Sequence, residues 1–183
     1  MCHAQILRLN DNNIGDAGLT ALAKAVESGA LDKLTVLHLV GNQISDDGFA
    51  TLMPFLKKGG RLSNLTEFCI GSGVTDKGMK EFADILSSGA LGKLEKLYLV
   101  ENAIGDDEGM SALAKAITPD TDGKGALASL ENLDLYGNAI GDEGMSALAK
   151  AITPDKDGRG ALAPGATVSL GGNSAMIDFR TAQ

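Results

Sequence analysis

The chain of 183 residues has no tryptophan, two tyrosines and five phenylalanines, so aromatic residues make up only 4% of it. A core must then be filled chiefly by Leu, Ile, Val, Met and Ala, which a hydrophobic content of 44% can supply. Cysteine is almost missing too: Cys2 and Cys69 are too few for a disulfide framework and read as thiols of a reducing compartment. No apolar run approaches the roughly 20 residues a membrane helix needs. The opening MCHAQILRLNDNN lacks the basic and apolar regions of a secretion signal. Proline is rare at 4 residues against 24 glycines, which points to tight turns rather than Pro-rich linkers. Positive charge is in deficit, with 16 basic against 24 acidic side chains and a formal charge of −8. Such a surface repels phosphate backbones and anionic membranes, so neither nucleic acid nor membrane is expected as a partner. These absences leave a soluble cytoplasmic protein as the expectation.

What the sequence does contain is repetition. The dodecapeptide GMSALAKAITPD stands at residues 109–120 and again, unchanged, at 144–155. A weaker period runs through the whole chain, with units starting at Ala4, Leu34, Leu65, Leu94, Leu130 and Gly165 at spacings of 30, 31, 29, 36 and 35. One domain of about five and a half units follows: 4–33, 34–64, 65–93, 94–129, 130–164 and a truncated 165–183. Each unit opens with apolar residues two apart, such as Leu37 and Leu39, Leu97 and Leu99, Leu133 and Leu135, as one face of a strand requires. The period then changes to i, i+3, i+4, i+7, the stripe of an amphipathic helix. Examples are Phe49, Leu52, Met53 and Leu56, or Met110, Leu113, Ala114 and Ile117.

Punctuation falls between and after these segments. An Asp precedes each helical stripe (Asp16, Asp46, Asp76, Asp106 or Asp107, Asp142) and is expected to cap the helix it introduces. Gly29, Gly59 and Gly89 mark the first three helix exits, and Pro119 and Pro154 the next two. Between strand and helix an Asn recurs as Asn12, Asn42, Asn102, Asn138 and Asn173. A polar side chain repeating beside a strand is expected to bond buried backbone, here as a ladder toward the next turn. Unit three has no such Asn, so the ladder should break there, and unit four carries one additional acidic residue in GDDEG. No unit buries its apolar face alone, so the units must stack.

The pattern L-x-x-L-x-L-x-x-N-x-I-G-D-x-G-x-x-A-L-A-x-A resembles the leucine-rich repeat. The resemblance extends over essentially the whole chain and is to the longer subclass of ribonuclease inhibitor, Ran GTPase-activating proteins and NLR-type receptors. It implies an α/β solenoid, a horseshoe with parallel strands on the concave face and helices on the convex face. It also implies employment in binding other proteins, without catalysis or cofactor.

With the Leu side chains turned inward, the alternate strand positions are displayed on the concave sheet. The central position forms the column Arg8, His38, Cys69, Tyr98, Asp134 and Ser169. At about 4.8 Å per strand it spans on the order of 25 Å. Lys96 stands two positions earlier in its strand, and Val40, Val100 and Tyr136 two later. The expected partner-binding residues are Arg8, His38, Val40, Cys69, Lys96, Tyr98, Val100, Asp134 and Tyr136, because aromatic anchors among varied polar groups suit a protein interface.

Catalysis is not expected. His38 and Cys69 should be neighbours, yet Asp134, the group to orient such a pair, is three strands from His38, or roughly 14 Å. The loops PDTDGKGAL and PDKDGRGAL place Asp120, Asp122, Asp155 and Asp157 together as weak cation ligands. Lys124 and Ala166 stand where ligands are wanted, so the expectation is no metal. Two other functional readings follow: a GTPase activator of Ran type, implied by the resemblance, and a calcium-responsive module resting on the acidic loops. Neither end carries a polar capping unit, and from this a fragment of a longer repeat protein, or self-association through the ends, is expected.

Overall fold

A computed structural model describes residues 4–71, 73–119, 125–154 and 161–174. Six strands of three residues each, Ile6–Arg8 (β1), Val36–His38 (β2), Glu67–Cys69 (β3), Lys96–Tyr98 (β4), Asn132–Asp134 (β5) and Thr167–Ser169 (β6), form one parallel sheet in chain order. Helices cross between them: Asp16–Glu27 (α1), Asp46–Ala50 (α2), Met53–Leu56 (α3), Asp76–Ser87 (α4), Ser111–Ile117 (α5) and Asp142–Ile152 (α6). The architecture is an open α/β solenoid with one strand per unit.

The core is the space between sheet and helices, and its residues are the ones whose period changes along each unit. Leu37, Phe68, Leu97 and Leu133 from the strands and Phe49, Phe82, Leu113 and Leu148 from the helices are all buried. Burial thins at the margins, where Leu7, Leu9 and Leu22 at one end and Val168 and Leu170 at the other are only partly covered. In a stack each inner unit is covered by two neighbours and each outer one by a single neighbour. One expectation about the core is corrected. Three of the five phenylalanines, Phe49, Phe68 and Phe82, meet in the middle units with ring centroids 5.6–6.2 Å apart, so aromatic packing joins the aliphatic core there.

The helical segments of units two and four also differ from the simple stripe. Between Asp46 and Leu56 the helix divides into α2 and α3, with Pro54 in the first turn of α3. Proline has no N–H to return to the preceding turn and disturbs the backbone there. In unit four the additional residue of GDDEG is taken up as one π turn, Asp106–Met110, where the Met110 N–H donates to the Gly105 carbonyl five residues back. Met110 and Leu113 thereby return to the buried face.

Gly29 and Gly89 directly follow the last turns of α1 and α4 with φ of +83° and +73°, the left-handed conformation that ends a helix. Gly59, expected at the same place, is corrected: α3 ends at Lys57 with extended backbone, and Gly59 at φ +78° stands two residues further on. Where proline follows instead, Thr118 and Thr153 are extended at ψ 129° and 122°, as a residue before proline must be.

Two polar ladders tie the units, and each corrects an expectation. The Asn ladder runs toward the preceding unit. Asn42 Nδ2 donates to Leu9 O (2.8 Å) and its Oδ1 accepts from Ile14 N (3.1 Å). Asn102 likewise reaches Ile70 O and Val74 N, Asn138 reaches Leu99 O and Ile104 N, and Asn173 reaches Leu135 O and Ile140 N. Asn12, expected as the first rung, is exposed and bonds only its own turn, at Leu9 O and Asn10 O, because no described unit precedes it. In unit three, which lacks the Asn, the backbone closes up instead, and a Cβ on Gly73 would collide with the Ile44 carbonyl.

The aspartates do not cap their own helices. The N-caps are Gly15, Ser45, Thr75 and Gly141, and each Asp is the first helical residue. Their carboxylates reach forward to the next unit. Asp16 accepts from Ser45 N (2.9 Å) and Oγ (2.6 Å), Asp46 from Thr75 N (2.8 Å) and Gly78 N (3.2 Å), and Asp76 from Gly105 N (2.7 Å). The glycine two or three residues after each Asp makes room for this, since a Cβ on Gly48, Gly78 or Gly109 would strike the Asp of the preceding unit. Together the ladders supply directional bonds at both edges of a core that is otherwise held by non-directional burial.

Candidate functional site

The strand register places the concave positions in rows. Arg8, His38, Cys69, Tyr98, Asp134 and Ser169 are successive partners across all six strands, and so are Ile6, Val36, Glu67, Lys96, Asn132 and Thr167. A parallel sheet with no offset between units can do nothing else once each strand begins at the same point of its repeat.

Exposure along these rows is uneven. Arg8 is exposed, Lys96, Tyr98, Val40, Val100 and Asp134 are half-buried, and Tyr136 and Ile6 are each 51% exposed. The Tyr136 ring lies over the turn of the last unit, 3.2–3.3 Å from where Cβ atoms on Gly171 and Gly172 would stand, so the absence of side chains there lets it lie against backbone. Asp134 Oδ1 accepts from the Tyr136 amide (3.0 Å) and pins the turn from which the ring projects.

His38 and Cys69 are not displayed as contact residues. They are 9% and 4% exposed. On a sheet that curves inward the side chains of neighbouring strands converge, and His38 and Cys69 sit at the bottom of a cluster with Glu67. His38 Nε2 lies 3.1 Å from Glu67 Oε1, and Glu67 Oε2 lies 3.8 Å from Lys96 Nζ. Burial, reinforced by the Glu67 carboxylate, pushes the Cys69 thiol up to about 12. A thiol raised in this way is protonated at neutral pH and is a poor nucleophile. The Tyr98 hydroxyl is raised for the same two reasons in the same order and stays a neutral hydrogen-bonding group. Glu67 escaped selection by sequence as a site residue; its position two before Cys69, on the same face, was the available signal.

Asp120, Asp122, Asp155 and Asp157, the weak cation ligands, lie outside the described residues. Among the described residues no helix is long and apolar enough to cross a membrane.

A parallel sheet one strand per unit, helices on its other side and an asparagine rung at each strand exit define a solenoid of the leucine-rich repeat class. The family profile described as Leucine Rich repeat matches residues 2–23, 32–53, 93–114 and 126–149, and these segments are leucine-rich repeats. The divergent third unit is outside the match, in keeping with its missing Asn. Among solved structures the chain is similar to an internalin, InlF, of Listeria monocytogenes at 23% identity and a TM-score of 0.49, covering 89% of this chain and 35% of that one. It is also similar to internalin C2 of the same organism at 25% identity and a TM-score of 0.44, covering 79% of this chain and 45% of that one. The chain spans less than half the length of either internalin. A comparison with curated proteins finds no match.

Proposed function

We propose that the chain is a non-enzymatic scaffold that binds another protein on its concave sheet, in the manner of the ribonuclease-inhibitor-like subclass and in the cytoplasm. The observation that carries this reading is the pair Tyr98 and Tyr136, half-buried on β4 and exposed in the turn after the neighbouring β5, with Val100, Lys96 and Asp134 in the same two units. Aromatic rings with polar tips, preheld against a rigid sheet, offer large contact area at small entropic cost. A parallel sheet bare of helices on one side supplies the surface without further folding.

The experiment is capture of partners from a lysate on immobilised protein, with Tyr98→Ala/Tyr136→Ala as the comparison and far-ultraviolet circular dichroism to verify folding. Loss of two anchors at about 2 kcal/mol each corresponds to a thousandfold weaker binding or thereabouts. A partner that the folded double variant retains equally well would place the contact elsewhere and overturn the reading.

A further inference from the structure

We propose that His38, Glu67 and Cys69 form a binding site for one divalent transition-metal cation of the zinc class, supplying three protein ligands. The three residues offer a ring nitrogen, a carboxylate oxygen and a sulfur whose atoms all lie within 4.8 Å of one another. This is the donor set that zinc accepts, with nitrogen and oxygen at about 2.0–2.2 Å and sulfur at about 2.3 Å. Tetrahedral bonds of those lengths separate the donor atoms by about 3.4–3.6 Å. The His38 to Glu67 separation of 3.1 Å is already close to that. With all three atoms within 4.8 Å, the remaining approach to those separations is no more than about 1.4 Å.

A second observation points the same way. His38 Nε2 is closed off from solvent and makes no hydrogen bond among the described residues, although Glu67 Oε1 is only 3.1 Å away. A cation held between the ring nitrogen and the carboxylate oxygen would give both a partner. An orphaned polar atom that is nine-tenths buried requires a reason of this kind.

The surrounding charges fit a cation of +2. On binding, Cys69 releases its proton to solvent, so the thiolate and the Glu67 carboxylate together neutralise the ion. Lys96 stays 3.8 Å from the other carboxylate oxygen, Oε2, and orients Glu67 toward the site. Arg8 and Asp134 act on Cys69 with opposite signs. The donors derive from strand geometry alone: Glu67 and Cys69 are two apart on β3, and His38 is the β2 partner of Cys69. Three protein ligands fill three of the four positions of a tetrahedral zinc site.

Cobalt(II) titration of chelator-treated full-length protein tests this, because a cobalt–thiolate bond gives a near-ultraviolet charge-transfer band. One equivalent of Co²⁺ should raise the band and Zn²⁺ should abolish it by displacement. Cys69→Ser should remove it, Cys2→Ser should leave it unchanged, and His38→Gln and Glu67→Gln should each weaken Co²⁺ binding at least about tenfold. Folding of every variant is checked by circular dichroism. Glu67→Gln, a near-isosteric change at a partly exposed position, decides the matter alone if Cys69→Ser fails to fold. The proposal is overturned by a folded wild type without the band, by a band that survives Cys69→Ser or vanishes with Cys2→Ser, or by unchanged affinity in Glu67→Gln.

Discussion

Replacing Asn138 by alanine should be among the costliest polar substitutions in the molecule, and replacing Asn12 in the same way should cost almost nothing. Asn138 is 7% exposed. Its Nδ2 donates to Leu99 O at 2.8 Å and to Leu135 O at 3.0 Å, while Oδ1 accepts from Ile104 N at 3.3 Å. Three neutral bonds at a net of about 1 kcal/mol each amount to ~3 kcal/mol. Backbone groups left buried without these bonds push the figure upward, and a water entering the vacated space pulls it down. Asn12 bonds only Leu9 O and Asn10 O in an exposed turn, so water replaces it, and the loss stays within about 0.5 kcal/mol. Asn138→Asp adds a control, because it keeps the shape but turns donors into acceptors facing two carbonyls; it should be as damaging as alanine. Urea unfolding followed by circular dichroism, with slopes compared to verify that each transition remains a single one, measures all three. A difference between Asn138→Ala and Asn12→Ala below about 1 kcal/mol would refute the ladder as a source of stability.

Glu101 holds φ +53° at a turn position where Gly41, Gly137 and Gly172 stand in other units. Glu101→Gly relieves about 1–2 kcal/mol of left-handed strain against a smaller entropic loss, so the urea midpoint should rise by the equivalent of about 0.5–1 kcal/mol. Gly78→Ala should destabilise by at least about 1 kcal/mol despite better helix propensity, since the new Cβ meets the Asp46 carboxylate. Gly18→Ala, whose Cβ would meet the Ile14 Cγ2 methyl at 2.9 Å but no carboxylate, should cost less than Gly78→Ala; equal effects at the two sites would sink the idea that the glycines exist for the Asp ladder. Hydrogen bonds from the Ser45 hydroxyl and then its amide hold the Asp16 carboxyl below its ordinary value. A depressed carboxyl stabilises the fold above the unfolded-state value near 4 and loses that contribution as pH falls through the folded-state value. Wild type should therefore lose stability more steeply than Asp16→Asn on acidification below about pH 5, and parallel pH profiles would contradict it.

Much of the fold was legible because a repeat states its structure several times over. One L-x-x-L-x-L segment is ambiguous; three of them and two close variants in series, each followed by the same helical stripe, admit one reading. The concave rows follow from that alone, since equal starting points in each repeat give equal register. The partnerships of the polar residues were less legible. Asp16 and Asp46 stand where a helix cap belongs, and only the stacking distance between units reveals that they reach forward to Ser45 and Thr75. Pro54 marked a break in the second helix that the apolar stripe concealed, while the additional residue of GDDEG was visible but its absorption into a π turn was not.

The sequence by itself determined the strand, turn and helix of each unit, the inward-facing leucines and the order of the strands, because these depend on periodicity and on contacts between neighbouring repeats. Tertiary structure decided which displayed positions remain open to a partner. His38 and Cys69 occupy the same kind of strand position as Tyr98, yet curvature and the side chains of adjoining strands close over the first pair and leave the tyrosine reachable. Burial at a site of this kind depends on the volume and charge of neighbours about thirty residues away in sequence, and no property of the residue or its own repeat contains that information.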